Sequence, residues 1–475
     1  MEGKTYNGLR EWLKIVEDQG ELRTVLGANA EDEIGALTDE VCHSPQRYAV
    51  LFDKIQGYQK GFRILVNSLG SVQRLALSLG LSANSKGELV ERCAAKLDQL
   101  RLLPTVTVKE GPVLENRLEG EQVDLEKFPV PFWHKEDGGR YIGTGSVTIT
   151  KDPDTGWVNL GTYRIMTVGR DRISFYISPG KHGLLHREKF FDRGQPCPVV
   201  VSLGHDPLIL AMGSFEWPYG MNELELAGGF RGSPVEVIQG PYTGLLFPAH
   251  SEIVLEGEAL PDEKMKEGPF GEWTGYYASG SRLEVTIRVK AIYHRHDPIM
   301  LGAPPFKPPN GNSFYLSVLR AAKLKLDLQK IGAPDVRGVW FYEEGGGRLM
   351  TAISLKQKFP GHAKQVAMLA TAAPSANYMG RYVIVVDDDI DVTDLREVIW
   401  AICTRTDPVE SIDIIRRCWS TPLDPAIAHD KHSLSSRAII DACRPFERRD
   451  SFPKVISTDP QLIKNVRQKW PDLFR

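Results

Sequence analysis

The sequence predicts a multidomain α/β protein with a strand-rich middle, and three observations carry that reading. At 475 residues the chain exceeds one typical core, which divides it into about three domains. Between Val106 and Ile299, β-branched and aromatic runs alternate with Gly and Pro turns, the texture of a mostly β, barrel-like sheet. On either side, strand-like runs alternate with stretches of helical periodicity, as in α/β modules.

Taken in order, apolar positions at helical spacing from Leu9 to Gln19, closed by Gly20, predict a first helix. YAVLFDKI from Tyr48 and FRILVNSLG from Phe62 read as buried strands, and the stretch from Gly87 to Leu102 returns to helical periodicity. The middle offers YIGTGSVTITKD, GWVNLGTYRIMTV, ISFYIS, CPVVVSLG, SEIVLEGEAL and LEVTIRVKAIYHR as strands. SFYLSVLRAAKLKLDLQKIG then places Phe314, Val318, Leu319 and Ala322 on roughly one helical face, which suits a linker helix. Beyond it, VRGVWFY, a helix from His362 to Ala373, the strand RYVIVVDDD and the helix TDLREVIWAICTR alternate as an α/β domain. STDPQLIKNVRQKW supplies a cap at Asp459, Pro460 at the first helical position and an amphipathic body, so a terminal helix docks either on a neighbouring subunit or on its own domain. The boundaries are 1–105, 106–310, 311–332 and 333–475.

Composition narrows the partners. Fifty-eight basic against sixty-one acidic side chains give a net charge of −3, and no global field attracts nucleic acid or an anionic membrane. The first twenty residues lack the apolar core of a signal peptide, and no window approaches the ~18 uninterrupted apolar residues of a membrane span. Six cysteines without CxxC spacing argue against a zinc cluster or a disulfide framework. A cytoplasmic protein with reduced thiols, acting on small molecules or pairing with its own copies, fits these facts.

The stretch GWVNLGTYR gathers the first chemistry. Asn159 and Arg164 stand five residues apart, hence on opposite faces of a regular strand, and Gly161 between them could carry a bulge that re-aims one of them. Spacing alone favours a plainer assignment, with Trp157 and Tyr163 as core aromatics and Arg164 paired to a surface acid. Lys181 and His182 lie in a Pro- and Gly-flanked loop that can close on phosphate or metal. An imidazole, the Asn159 amide oxygen and a carboxylate such as Glu223 together suit Mn2+ or Mg2+ better than zinc. Glu267 and Glu272 flank GPFG, which is neither regular helix nor central strand. Such a pair can serve as an acid and its tuning partner, one kept protonated and the other ionised beside an arginine, or it can be a solvated acidic turn. The run Asp387 to Asp391 reads as turn and N-cap chemistry rather than a metal site. His294 and His296 face solvent or an interface and receive no role.

Together, GWVNLGTYR, SPGKHG, NELELAGGFRG, SEIVLEG, EGPFGEWTGYY, FPGHAKQV and VVDDDIDVTDLREVIWA resemble the UbiD-like family of prenylated-flavin-dependent (de)carboxylases, in order and over nearly the whole chain. The resemblance implies an N-terminal α/β region, a central flavin-reductase-like split β-barrel, a linker helix and a C-terminal α/β oligomerisation domain, in a homo-oligomer such as a dimer or hexamer. It implies prenylated FMN, supplied by a separate flavin prenyltransferase, with Mn2+ bridging its phosphate to protein and K+ nearby. Asn159, His182 and Glu223 fall on the metal-ligand positions. Thr162, Tyr163, Arg164, Tyr176, Ile177, Ser178, Lys181, His182 and Lys356 fall on cofactor contacts. Arg164, Glu267 and Glu272 fall on the catalytic network, with Glu272 as proton donor. The implied reaction is reversible, non-oxidative decarboxylation of an aromatic or heteroaromatic acid, of hydroxybenzoate type on the WTGYY ending. The alternatives are an acrylic or cinnamic-type acid decarboxylase of the same family, an FMN-dependent oxidoreductase on a split barrel, and a non-catalytic assembly subunit. Substrate-facing residues are expected from Asn312 to Leu316 and from the loop His429 to Arg437.

Overall fold

The computed structural model describes residues 6–428 and 433–473. Strands Leu22–Leu26, Ala49–Asp53 and Arg63–Val66 form a sheet at the N-terminal end, and its fourth strand is Ile299–Gly302, parallel to Arg63–Val66. A segment assigned by sequence to the middle of the chain thus completes the N-terminal sheet. The first helix, Leu9–Asp18, packs Leu9, Trp12, Leu13 and Val16 into a small core of its own with that sheet.

The middle of the chain builds one antiparallel sheet of seven strands. Its path runs Arg172–Ser174, Arg282–His294, Ile253–Glu267, Cys197–Leu203, Val147–Lys151, Val158–Gly161, with Asn116–Glu119 added alongside Arg282–His294. The barrel expected from the strand pattern is not closed: the path ends at Val158–Gly161 on one side and Arg172–Ser174 on the other. After Gly161 the strand stops, Thr162, Tyr163 and Arg164 cross the gap, and Ile165–Met166 pairs with Tyr141–Gly143 in a separate two-stranded sheet. A bridge from Thr167 to Ile173 ties that small sheet to the far edge of the large one. The bulge expected at Gly161 is absent, since the ladder from Val158 to Gly161 runs without a register shift. A change of sheet takes its place.

The linker helix, Ser313–Lys330, is more deeply placed than a one-face pattern implies. Fourteen of its 18 residues are buried, including Arg320 and Lys325, because it is packed on several sides rather than lying on a surface. One apolar cluster runs from Leu69 through this helix to Cys443, so the modules share a core. The C-terminal sheet has the order Val336–Phe341, Met350–Leu355, Tyr382–Asp387, Leu434–Ala442, Ile412–Trp419, with parallel pairing at its centre and antiparallel edges. Asp387 is buried at the end of its strand against Arg405 and Arg444, so the acidic run is ion-pair and turn chemistry. His294 does not face solvent: its half-buried ring packs against Phe62 and Phe128. The terminal helix Pro460–Lys469 is capped by Asp459, whose carboxylate accepts from the Gln461 and Leu462 N–H groups at 2.8 and 3.0 Å. None of its residues is buried, so it does not dock on its own chain.

Candidate active site

A cavity of about 400 Å³ lies where the central sheet, the linker helix and the C-terminal domain meet, a size suited to a cofactor with a small substrate. Asn159, Thr162, Tyr163, Arg164, Tyr176, Ser178, Lys181, His182, Glu223 and Glu272 all contribute to its wall. Three polar networks meet there.

The first joins the strand Val158–Gly161 to two helix starts. His182 is the first residue of the helix His182–Phe191, and Glu223 the first of Glu223–Arg231, which Asn222 caps. His182 is therefore on a helix, not on the flexible loop expected from its neighbours. Glu223 accepts the Leu160 N–H at 2.9 Å, and burial pushes its carboxyl up to about 8, opposed only by main-chain N–H groups. Burial, helped by Lys181, lowers His182 and favours its neutral form. Asn159 reaches the Tyr163 hydroxyl at 3.5 Å, and that hydroxyl accepts the Gly183 N–H at 3.1 Å. Trp157 packs against the rings of His182 and Tyr219, which also meet each other, and donates to the Met221 carbonyl at 3.1 Å. It is thus a brace for the histidine rather than a core aromatic.

The second network is cationic. Glu216 accepts from Lys181 at 2.9 Å, from Arg348 at 2.7 Å and from Arg320. Burial works against the Glu216 charge, but Arg320, Arg348 and Lys181 together hold its carboxyl well below the usual range. Three cations on one carboxylate leave a positive excess beside the cavity, the electrostatics a phosphate requires. Sequence reading missed Glu216, Arg320 and Arg348. The one available signal was Arg320, a charge in an otherwise apolar stretch of the linker helix.

The third network carries the acids. Arg164 donates to Glu267 through Nη2 at 2.9 Å and to Glu272 through Nη1, and its Nε stands 2.9 Å from the other Glu267 oxygen as an ion-pair contact. Its guanidinium lies 4.5 Å from the centre of the Tyr176 ring. Tyr141 donates to Glu267 at 2.8 Å. Both carboxyls are buried, so the surface acid and the solvated turn considered from sequence are excluded. Burial pushes Glu272 up to about 7, with Glu267 adding to the shift and Arg164 opposing it. Burial also opposes the Arg164 charge, but Glu272 and Glu267 outweigh it and raise the guanidinium above its usual range.

Three expected contacts fall elsewhere. Glu267 lies behind Arg164 rather than on the cavity wall, and the Ile177 side chain is buried in an apolar cluster, which leaves only its main chain for a ligand. Lys356 is exposed at the end of the strand Met350–Leu355, away from the cavity, so it is not a phosphate contact here. Of the expected substrate-facing residues, Asn312, Ser313, Tyr315 and Leu316 line the cavity. Residues 429–432 of the other expected segment lie outside the described residues, and Arg437 turns inward to the Thr371 and Asn377 carbonyls. The C-terminal domain instead contributes Tyr378, Trp419, Thr421 and Leu423.

Comparison with known proteins follows the same architecture. Three profiles of 3-octaprenyl-4-hydroxybenzoate carboxy-lyase match the chain: its N-terminal domain over residues 13–93, its Rift-related domain over 105–308 and its C-terminal domain over 313–442. A phenolic acid decarboxylase of Sedimentibacter hydroxybenzoicus is 33% identical over 93% of this chain and 92% of its own length. A pyrrole-2-carboxylic acid decarboxylase of Pseudomonas aeruginosa is 32% identical over 98% and 97%. Among solved structures, the open form of the Sedimentibacter hydroxybenzoicus vanillic acid decarboxylase aligns with a TM-score of 0.86 at 30% identity, over 99% of both chains. An evolved dimeric form of the UbiD-class enzyme HmfF from Pelotomaculum thermopropionicum, in complex with prFMN, aligns with a TM-score of 0.82 at 28% identity, over 97% of this chain and 98% of that one.

Proposed function

The chain belongs to the UbiD family of carboxy-lyases, and from that premise we propose that it removes CO2 reversibly and without net oxidation from an aromatic or heteroaromatic carboxylic acid, using prenylated FMN. The observation that carries the reading is Arg164 held between two buried carboxyls at the cavity, one of them with its acidity shifted into the neutral range. The relatives' substrates, phenolic and pyrrole acids, favour an aromatic ring over an acrylic chain.

The residues present fit the cofactor. Among the described residues no three His, Cys, Asp or Glu side chains form a metal cluster, and the proposed set contains only two of those types. Asn159, His182 and Glu223 offer an amide oxygen, a neutral imidazole and a carboxylate whose burial no protein cation relieves, which suits Mn2+. K+ alongside follows from the family. Lys181, with Arg348 and Arg320 behind it, suits the phosphate. Thr162, Tyr163, Tyr176 and Ser178 suit the remainder of the flavin, and Ile177 can add a main-chain contact. A flavin-reductase-like split barrel remains our reading of the central sheet, supported by the register shifts in its long hairpin, which bend strands. We also assign domains at 1–105, 106–310, 311–332 and 333–475, a cytoplasmic location and a flavin prenyltransferase as cofactor supplier. No helix among the described residues is long and apolar enough to cross a membrane. The undocked terminal helix supports a homo-oligomer.

When bound, the modified flavin supplies the electron sink that makes CO2 a leaving group. Arg164 draws the substrate carboxylate toward the acids by charge. Breaking the bond to CO2 leaves an electron pair that must end in a new C–H bond, and Glu272 supplies the proton. Glu267 remains behind Arg164 and holds it in place, and Glu272 recovers its proton from solvent.

Two expected outcomes follow for the loaded enzyme. Because Glu272 acts as its protonated form, turnover is present below about pH 7 and falls about tenfold per unit above it, as a pH–rate profile will show. Stripping divalent metal with a chelator is expected to release the flavin, read as visible absorbance in the filtrate. Retention of all flavin would remove the metal bridge from this reading. The decisive experiment is co-expression with a flavin prenyltransferase, an absorption spectrum, and a screen of aromatic and acrylic acids for CO2 release. Oxidation of NAD(P)H without CO2 release would overturn the proposal.

A further inference from the structure

The loop that carries the two acids is gripped from outside the site by a segment to which no role has yet been assigned, FWHKEDGG. Asp137 is fully buried at its side chain. Its carboxylate accepts the His134 main-chain N–H at 3.1 Å and the Gly271 N–H at 3.3 Å, the latter one residue before Glu272. The His134 ring lies against the same carboxylate through Nδ1 at 2.9 Å, and its Nε2 meets the Pro305 carbonyl at 2.6 Å. Both ring nitrogens lie within hydrogen-bond reach of an oxygen, so the imidazole spans the gap between the Asp137 carboxylate and the Pro305 carbonyl. Pro305 and Glu272 both line the cavity, whereas His134 and Asp137 do not. The pair thus ties the loop of the acid to another part of the cavity wall.

The packing around the bridge leaves it little freedom. The His134 ring meets Phe270 and Phe306 edge-on, with centroids 5.5 and 4.8 Å apart. Gly138 donates to the Pro269 carbonyl at 2.7 Å, and a side chain at Gly138 would overlap the Gly268 carbonyl. A side chain at Gly271 would come within 3.0 Å of the His134 ring. The close approach of two glycine-bearing segments is what lets the bridge reach the main chain of the acid loop.

We infer that His134, acting through Asp137 and Pro305, is a positioning residue that fixes where the Glu272 carboxyl stands relative to the reacting carbon. This rests on the role proposed for Glu272. Its effect falls on proton delivery rather than on the release of CO2, since the bridge bonds the main chain one residue before Glu272 and reaches Arg164 only through the acids. A misplacement of about 1 Å is enough to cost on the order of 10²-fold in such a transfer.

Two exchange reactions of the flavin-loaded enzyme separate these steps, run with an acid found in the CO2-release screen. Solvent deuterium enters the decarboxylated product only through the proton donor. Labelled bicarbonate enters the substrate carboxylate by bond breaking and re-formation without that proton. In His134→Ala, deuterium entry is expected to fall about 10- to 100-fold while label entry from bicarbonate and flavin content stay at wild-type levels. Asp137→Asn keeps an oxygen for the Gly271 N–H and is expected to show a smaller drop of the same kind, which preserves the test if the alanine variant does not fold. Equal losses in both exchanges, or no loss in either, would overturn the inference. Glu272→Gln serves as control: if it retains deuterium entry, the assignment of Glu272 fails, whereas loss there with wild-type behaviour in both bridge variants sinks the positioning role alone.

Discussion

Glu272→Gln is expected to lower decarboxylation by about 10²- to 10⁴-fold, the span that general acid catalysis supplies. Glutamine preserves the size of the side chain and an oxygen for Arg164 Nη1, so the change isolates the proton. The carboxyl it replaces is shifted to about 7, chiefly by burial, which places its proton where it is both held and transferable at neutral pH. The check is turnover with flavin content measured in the same sample. Wild-type turnover at full flavin loading would show that another group delivers the proton.

Arg164→Ala is expected to destabilise the protein by about 3–5 kcal/mol as well as abolish turnover, because Glu267 and Glu272 are left buried without their cation. The drop is read as a lower urea midpoint against wild type. Arg164→Lys is expected to fall between wild type and the alanine variant, since a compact ammonium cannot face Glu267 and Glu272 at once as the forked guanidinium does. Glu267→Gln in the alanine background relieves part of the loss, as a neutral amide is cheaper to bury than an unpaired charge. An unchanged midpoint in Arg164→Ala would mean that the carboxyls are solvated, contrary to their burial.

Glu267 and Glu272 stand out in the sequence as a candidate pair because Pro269 and the glycines beside it rule out helix and central strand between them, whereas Arg164 takes its place beside them only through the family resemblance. The cap at Asp459 was readable for a similar reason, as caps are local. What could not be read depends on pairing between distant segments. GTYRIM shows no turn signal, so it reads as one strand, yet the chain changes sheets there because Ile165–Met166 finds its partner at Tyr141–Gly143. Ile299–Gly302 has the composition of any buried strand, and only Arg63–Val66 draws it to the N-terminal sheet. Glu216, Arg320 and Arg348 come from three different elements, and no spacing relates them. Lys356 shows the converse, a residue three positions before a family-like motif whose side chain the fold leaves in solvent.

The crossing from Gly161 to Ile165 also bears on how such a site can diversify. Extended chain advances at most about 3.6 Å per residue, so Asn159 and Arg164 can never be more than about 18 Å apart. That stretch of main chain acts as a gauge for the distance between the proposed phosphate and proton-transfer ends, and an insertion there would change both at once. The wall proposed to face the substrate ring comes from other parts of the chain, Asn312, Tyr315 and Leu423 among them, which take no part in setting that length. On this reading substrate range and cofactor retention are separable traits, and a lineage can exchange one ring for another by point substitution while the gauge is inherited intact.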